Sequence, residues 1–248
     1  MKKRLLAIAL TLALLLGFGG IAASAATPEE EARALLEQTQ AIFNSRTYIL
    51  KGRGTSPVGP GGSGTAHLVM AMDKDKLMVE TEVDWPAMMA AVGGSHLAGF
   101  ILQMVLGKSF RMVFSPEGVF WVFPDRRLYL DLAPMMEAEG AEGAASLIEG
   151  LDMLGISGAI PEDLDVTQPV IGGKTYLCVT FDGYEGSSMS YYFLDGQLKR
   201  IEVFNETSDE NMVIEIDQLS GTVDASYFST RWLVPIPLRL FISTLPIF

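Results

Sequence analysis

The chain has 248 residues, 49% hydrophobic and 19% charged, with a mean hydropathy of +0.28. That is the make-up of one large folded domain or two small ones, and it excludes a disordered chain. Thirty acidic against 18 basic residues give a net charge of −12; residues 1–25 hold three of the bases and no acid, so the remainder carries −15. A body of that sign repels phosphate backbones and anionic headgroups, which argues against nucleic acid as a partner.

Lys2-Lys3-Arg4, the apolar residues 5–16, the helix-breaking Gly17, Gly19 and Gly20, and Ala23-Ser24-Ala25 together make an export signal. Cleavage is expected before Ala26, and the apolar core is short against the ~20 residues of a membrane span. The one cysteine, Cys178, lies far from the signal, so there is no lipobox for acylation and no internal disulfide. Between Leu177 and Val179 it reads as a buried, inert thiol. The mature chain is thus expected to be secreted, in the cell envelope or periplasm.

Thr27-Pro28-Glu29-Glu30 starts a helix: Thr27 caps, Pro28 suits the first position and Glu30 completes a capping box. The helix runs to Asn44-Ser45, after which the apolar period changes to two. Residues 48–52 read as a strand, 54–64 as a flexible loop, and 65–72 with 76–83 as a hairpin about Asp73-Lys74-Asp75. Residues 109–114, 119–123 and 128–132 form a meander, and 174–181, 190–194, 199–204 and 212–217 complete ten strands. Short turns join them except at two helical insertions, which favours one curved antiparallel sheet over a parallel α/β fold. The first insertion, 85–107, has no Asp, Glu, Lys or Arg in 23 residues. Gly93-Gly94-Ser95-His96 divides it into short helices at 86–92 and 97–106. The second, 134–155, carries Ala144, Leu147, Ile148, Leu151 and Leu154 at helical spacing.

No catalytic pattern emerges. Gly172-Gly173-Lys174-Thr175 looks like the end of a P-loop, but Gln168 stands where that motif needs glycine, and a strand follows instead of a helix. His67 and His96 are isolated from any metal-ligand spacing, there is no Gly-x-Ser-x-Gly, and nothing singles out an acid/base pair among the carboxylates. The expectation is a non-enzymatic protein without metal or cofactor.

The segments Tyr48-Ile49-Leu50-Lys51-Gly52, Gly172-Gly173-Lys174-Thr175-Tyr176, the run from Tyr191-Tyr192-Phe193-Leu194-Asp195-Gly196 to Ile201, Ile214-Glu215-Ile216-Asp217 and Val223-Asp224-Ala225-Ser226-Tyr227-Phe228 follow a known rhythm. With the signal and capped helix they resemble the LolA-like superfamily, the bacterial lipoprotein carriers, over roughly residues 28–229. The resemblance implies an α+β fold: a curved antiparallel sheet forming an unclosed half-barrel, with helices over its concave face. It further implies uptake of acyl chains, from a lipid or an acylated protein, into that apolar groove, with transient membrane contact as a corollary.

Alternating strand positions then give the expected groove: Leu68, Met70, Met72, Leu77, Val79, Phe110, Met112, Phe114, Leu128 and Leu130. Lid candidates are Met88, Met89, Phe100, Leu102 and Met104. The 13 methionines suit a surface that adapts to varied apolar shapes, though each also serves as ordinary core. Phe120 and Trp121 must face opposite ways. The boundaries read as signal 1–25, half-barrel 26–230 and an apolar tail 231–248 with Pro235, Pro237 and Pro246. Those prolines disfavour a transmembrane helix; the tail fits a plug across the groove or a membrane contact. The alternative function is an envelope regulatory domain whose own helices fill the groove.

Overall fold

The structure is a computed structural model that describes residues 27–57, 63–91, 93–134, 160, 164–182, 187–205 and 210–237. The expected signal peptide, most of the second helical insertion and the end of the tail lie outside the described residues.

Helix α1 (Pro28–Asn44) begins as its sequence dictates. The Thr27 hydroxyl accepts from the Glu30 N–H at 3.2 Å, and the Glu30 carboxylate accepts from the Thr27 N–H at 2.8 Å, which satisfies two otherwise orphaned donors. A hairpin pair comes next, β1 (Thr47–Pro57) and β2 (Ser63–Asp73), and then β3 (Lys76–Glu82). Helices α2 (Trp85–Ala91) and α3 (His96–Leu106) form the first insertion. The meander is β4 (Ser109–Ser115), β5 (Gly118–Phe123) and β6 (Leu128–Asp131). Further on come β7 (Asp165–Thr167), β8 (Val170–Ile171), β9 (Lys174–Thr175), β10 (Leu177–Asp182), β11 (Ser187–Leu194), β12 (Gln197–Asn205), β13 (Glu210–Ser220) and β14 (Val234–Pro235).

Twelve strands make one sheet in the order β14-β6-β5-β4-β3-β2-β1-β13-β12-β11-β10-β7, while β8 and β9 form a separate hairpin. All pairings in the large sheet are antiparallel except the parallel rung of β14 on β6. Among the described residues its two ends do not pair, so the curved sheet is an unclosed half-barrel.

Three differences from the sequence expectation have local causes. The strands number more than ten because β7, β8 and β14 are two or three residues long, too short to show a period. The glycine-rich stretch after residue 52 is not a loop up to Pro57: β1 and β2 stay paired through Thr55↔Thr65, whose hydroxyls lie 3.1 Å apart. Backbone pairing, not side-chain burial, extends that hairpin. The run 174–181 splits into β9 and β10 at Tyr176, whose N–H donates instead to the Pro169 carbonyl.

The two faces differ in chemistry. The concave face joins Tyr48, Leu50, Leu77, Tyr191, Ile201 and Ile214 with many others into one large apolar cluster, onto which α1, α2 and α3 pack. The convex face of β1–β6 carries a smaller cluster of Ile49, Val69, Ala71, Met78, Val113 and Val122, covered by Phe228 from the segment after β13. Ion pairs sit on this outer side: Arg111 Nε donates to Glu80 at 2.7 Å beneath the Tyr227 ring, and Arg200 bridges Glu202 and Glu215.

Candidate functional site

Strand register lines the concave side chains into rows that cross the strands. One row is Tyr48, Met72, Leu77, Phe114 and Val119, each directly opposite the next. A second is Leu50, Met70, Val79, Met112, Trp121 and Leu130. A third holds Leu68, Thr81 and Phe110, continued by the facing pair Phe123 and Leu128. All ten groove residues expected from the sequence fall in these rows, on one face of one sheet. No position in them carries a charge.

The rows differ in access. The first is buried throughout, with Leu77 fully enclosed. In the second, Val79, Met112 and Trp121 are only half-buried, as are Leu68, Phe110 and Leu128 in the third. With strands ~4.8 Å apart, the second row runs about 24 Å from β1 to β6. It is thus an apolar strip between the packed first row and the third row, over which helices α2 and α3 pack.

Those helices are placed by aromatic contacts. Trp85 meets the rings of Phe110 and Phe123 at 6.4 and 6.3 Å. Its indole N–H donates to the Gly107 carbonyl at 2.8 Å, so a buried polar edge is satisfied. In α3 the buried residues are Gly99, Leu102 and Leu106; a side chain at Gly99 would collide with the Pro86 backbone, which is why α2 and α3 lie so close. Of the lid candidates, Met89 and Leu102 point inward and join the concave cluster. Met88, Phe100 and Met104 point outward, Met104 being 66% exposed. Helical spacing explains the division, because the side facing Pro86 is set by Gly99 and its neighbours three residues on.

The junction below the lid is held by Asp125. Its carboxylate accepts from the N–H groups of Lys108 and Ser109 at 2.7 and 2.9 Å and from the Ser109 hydroxyl at 2.8 Å. The Ser109 N–H bond is the main reason its carboxyl is held below the ordinary aspartate range, and the Lys108 N–H, the Ser109 hydroxyl and nearby Arg126 add to it. Deeper in the concave cluster, burial pushes the Tyr191 phenol well above its ordinary value, so it stays neutral.

Several site residues do not stand out in the sequence. Trp121 belongs to the second row, and Trp85, Phe123 and Leu106 to the lid contact. Alternation through Phe120 and Trp121 points to the first of these, but pairing across strands is not visible in a linear pattern. A cavity of about 370 Å³ lies between α1 and the β12–β13 hairpin. Gln38, Thr39, Gln197, Lys199, Asp217 and Gln218 give it a hydrogen-bonding lining unlike the concave rows. Among the described residues no group of three or more His, Cys, Asp and Glu gathers as a metal site, and no helix is long and apolar enough to cross a membrane.

No family model matches the chain, and no curated protein does. Solved structures to which it is similar include LolA superfamily proteins. LprF from Mycobacterium bovis matches at 10% identity and a TM-score of 0.43, over 78% of this chain and 95% of that one. The LolA superfamily protein NE2245 from Nitrosomonas europaea matches at 10% identity and 0.31, over 82% and 99%. The Pseudomonas aeruginosa MucA/MucB complex matches at 8% identity and 0.34, over 79% of this chain and 60% of that one. Scores this low compare general layout and match no site.

Proposed function

We propose that this protein is a non-enzymatic binding protein of the cell envelope that holds lipid acyl chains, or the acyl tails of lipoproteins, along its concave face. One observation supports this reading above the others: the second cross-strand row is uncharged over its whole width and is half-open at Val79, Met112 and Trp121. Each methylene buried there contributes about 0.8 kcal/mol, so a 16-carbon chain gains on the order of 12 kcal/mol before ordering costs. No directional polar contact is required, in keeping with a site without chemical motifs. The thioethers of Met70 and Met112 adapt to chains of different shape. Titration of a fluorescent fatty acid tests the reading: saturable binding supports it, and its absence at micromolar protein refutes it.

The second reading, an interaction domain with a groove closed by its own helices, is favoured by Met89 and Leu77, which are already fully enclosed. It predicts no uptake of the fatty acid by the intact chain.

A further inference from the structure

Helix α3 turns Gly99, Leu102 and Leu106 toward the protein. Its opposite side is apolar as well. Leu97, Phe100, Ile101, Met104 and Val105 are exposed, Leu97 to 70%, and their three- and four-residue spacing puts them in one stripe. No charge occurs anywhere in residues 85–107, and His96 and Gln103 are the only polar side chains of α3. A surface helix ordinarily shows water a polar side, whereas one that is apolar all round is covered on both.

A cluster of cations stands where α3 enters the sheet. Lys108 follows the helix directly. Arg126 and Arg127 are held beside it because β5 returns antiparallel to β4, and because the Asp125 carboxylate accepts from the Lys108 and Ser109 N–H groups. Arg231 and Trp232 reach the same end through the Val234 N–H, which donates to the Arg127 carbonyl at 2.8 Å. All four cations are exposed, as is Trp232 at 81%, and the Arg231 guanidinium lies 4.9 Å from the centre of its ring. Three carboxylates share this end: Glu82, which pairs with Ser109 in register, Asp84 and Asp125. Asp84 accepts from the Ala87 N–H at 3.1 Å, and Asp125 is taken up by its clamp beside Arg126. Among the described residues Lys108, Arg127 and Arg231 form no ion pair. These seven groups sum to +1 in a body that carries −15.

We propose that the outer stripe of α3, with Trp232 and the cations beside it, is a surface on which the protein docks to a bilayer containing anionic phospholipid. At 11 residues α3 is about 16 Å long, so it lies in the plane of the interface and does not cross. The stripe offers no hydrogen-bonding side chain, which suits the acyl boundary and not a protein partner with a polar rim. Trp232 has the apolar body and polar edge of a residue at headgroup depth, and the cations pair with headgroup phosphates. The acidic remainder is repelled by the same surface, which turns this corner toward the membrane. The docking surface is the outside of the lid and the groove lies beneath it, so docking does not rest on the acyl-chain reading. Where that reading holds, docking sets the groove next to a source of acyl chains.

The test is flotation of the chain beginning at Ala26 with phosphatidylcholine vesicles, with or without about one quarter phosphatidylglycerol. The protein is expected to float with the mixed vesicles in low salt, and about tenfold less with phosphatidylcholine alone or in high salt. The triple variant Leu97→Gln, Ile101→Gln, Val105→Gln and the double variant Arg127→Gln, Arg231→Gln should each bind mixed vesicles about tenfold more weakly. Both should keep the parent's circular dichroism and its affinity for a fluorescent fatty acid. No flotation of the parent with mixed vesicles overturns the proposal, whether or not fatty acid binds. Equal flotation with both kinds of vesicle, or flotation that survives both sets of substitutions, overturns it as well. Loss of flotation in Met112→Asp would assign vesicle binding to the groove and overturn the docking surface. A parent dimer that does not float and that the triple variant breaks would make the stripe a contact between two copies, and would overturn it too. Docking by a chain that takes up no fatty acid upholds this inference and refutes the acyl-chain reading instead.

Discussion

The indole N–H of Trp85 donates to the carbonyl oxygen of Gly107, joining the first residue of α2 to the residue that ends α3. Both ends of the lid hairpin are thereby tied to one point at the top of β4. Trp85→Phe keeps most of the ring packing but strands the buried carbonyl. It should cost about 1–3 kcal/mol, measured by thermal or urea unfolding, with faster release of bound fatty acid in stopped-flow exchange.

Gly107 has φ +86 and ψ −165, a conformation essentially confined to glycine, and an added Cβ would stand 2.5 Å from the Asp125 side chain. Gly107→Ala therefore combines backbone strain of about 1–3 kcal/mol with loss of the carboxylate clamp. A melting temperature indistinguishable from the parent's would contradict this account of the junction.

Asp125 gives the junction a pH dependence of known sign. Its folded carboxyl is held below the ordinary aspartate value of about 3.9. The stability it contributes is complete above that value and is lost as pH falls through the lower folded one. Melting temperatures taken from neutral pH down into the acid range should thus drop more steeply below about pH 4 for the parent than for Asp125→Asn. Parallel curves would remove Asp125 from the clamp.

Met112→Asp places a charge in the middle of the second row at a half-buried position, whereas Arg111→Gln, next in sequence, alters only the convex face. The first should weaken fatty-acid binding at least tenfold, about 1.4 kcal/mol. The second should leave it unchanged. Circular dichroism of both confirms that they fold, and equal binding by the two would show that the acyl chain lies elsewhere.

Much of this architecture is legible in the residues. Thr27-Pro28-Glu29-Glu30 states a helix start in local chemistry alone, and the alternation of Leu77, Val79 and Thr81 with Met78, Glu80 and Glu82 assigns faces without any tertiary knowledge. The ten groove positions share a face for the same reason. The features that stay hidden depend on partners remote in sequence. Trp121 joins Met112 and Leu130 only through strand register. Phe100 and Met104 look as apolar as Leu102, yet only Leu102 turns inward, because the approach of Pro86 at Gly99 fixes the rotation of α3. The edge strand β14 reads as coil because two prolines mask a rung whose hydrogen bonds come from Val234 and Ile236 beside them.

The most direct measurement is chemical. The chain beginning at Ala26, purified without detergent from a bacterial envelope, is extracted with organic solvent and its small molecules are identified by mass spectrometry. An acyl lipid recovered in near-equal amount to the protein, and lost in Met112→Asp, is the expected result. A clean extract from a folded protein that also takes up no fluorescent fatty acid would contradict it.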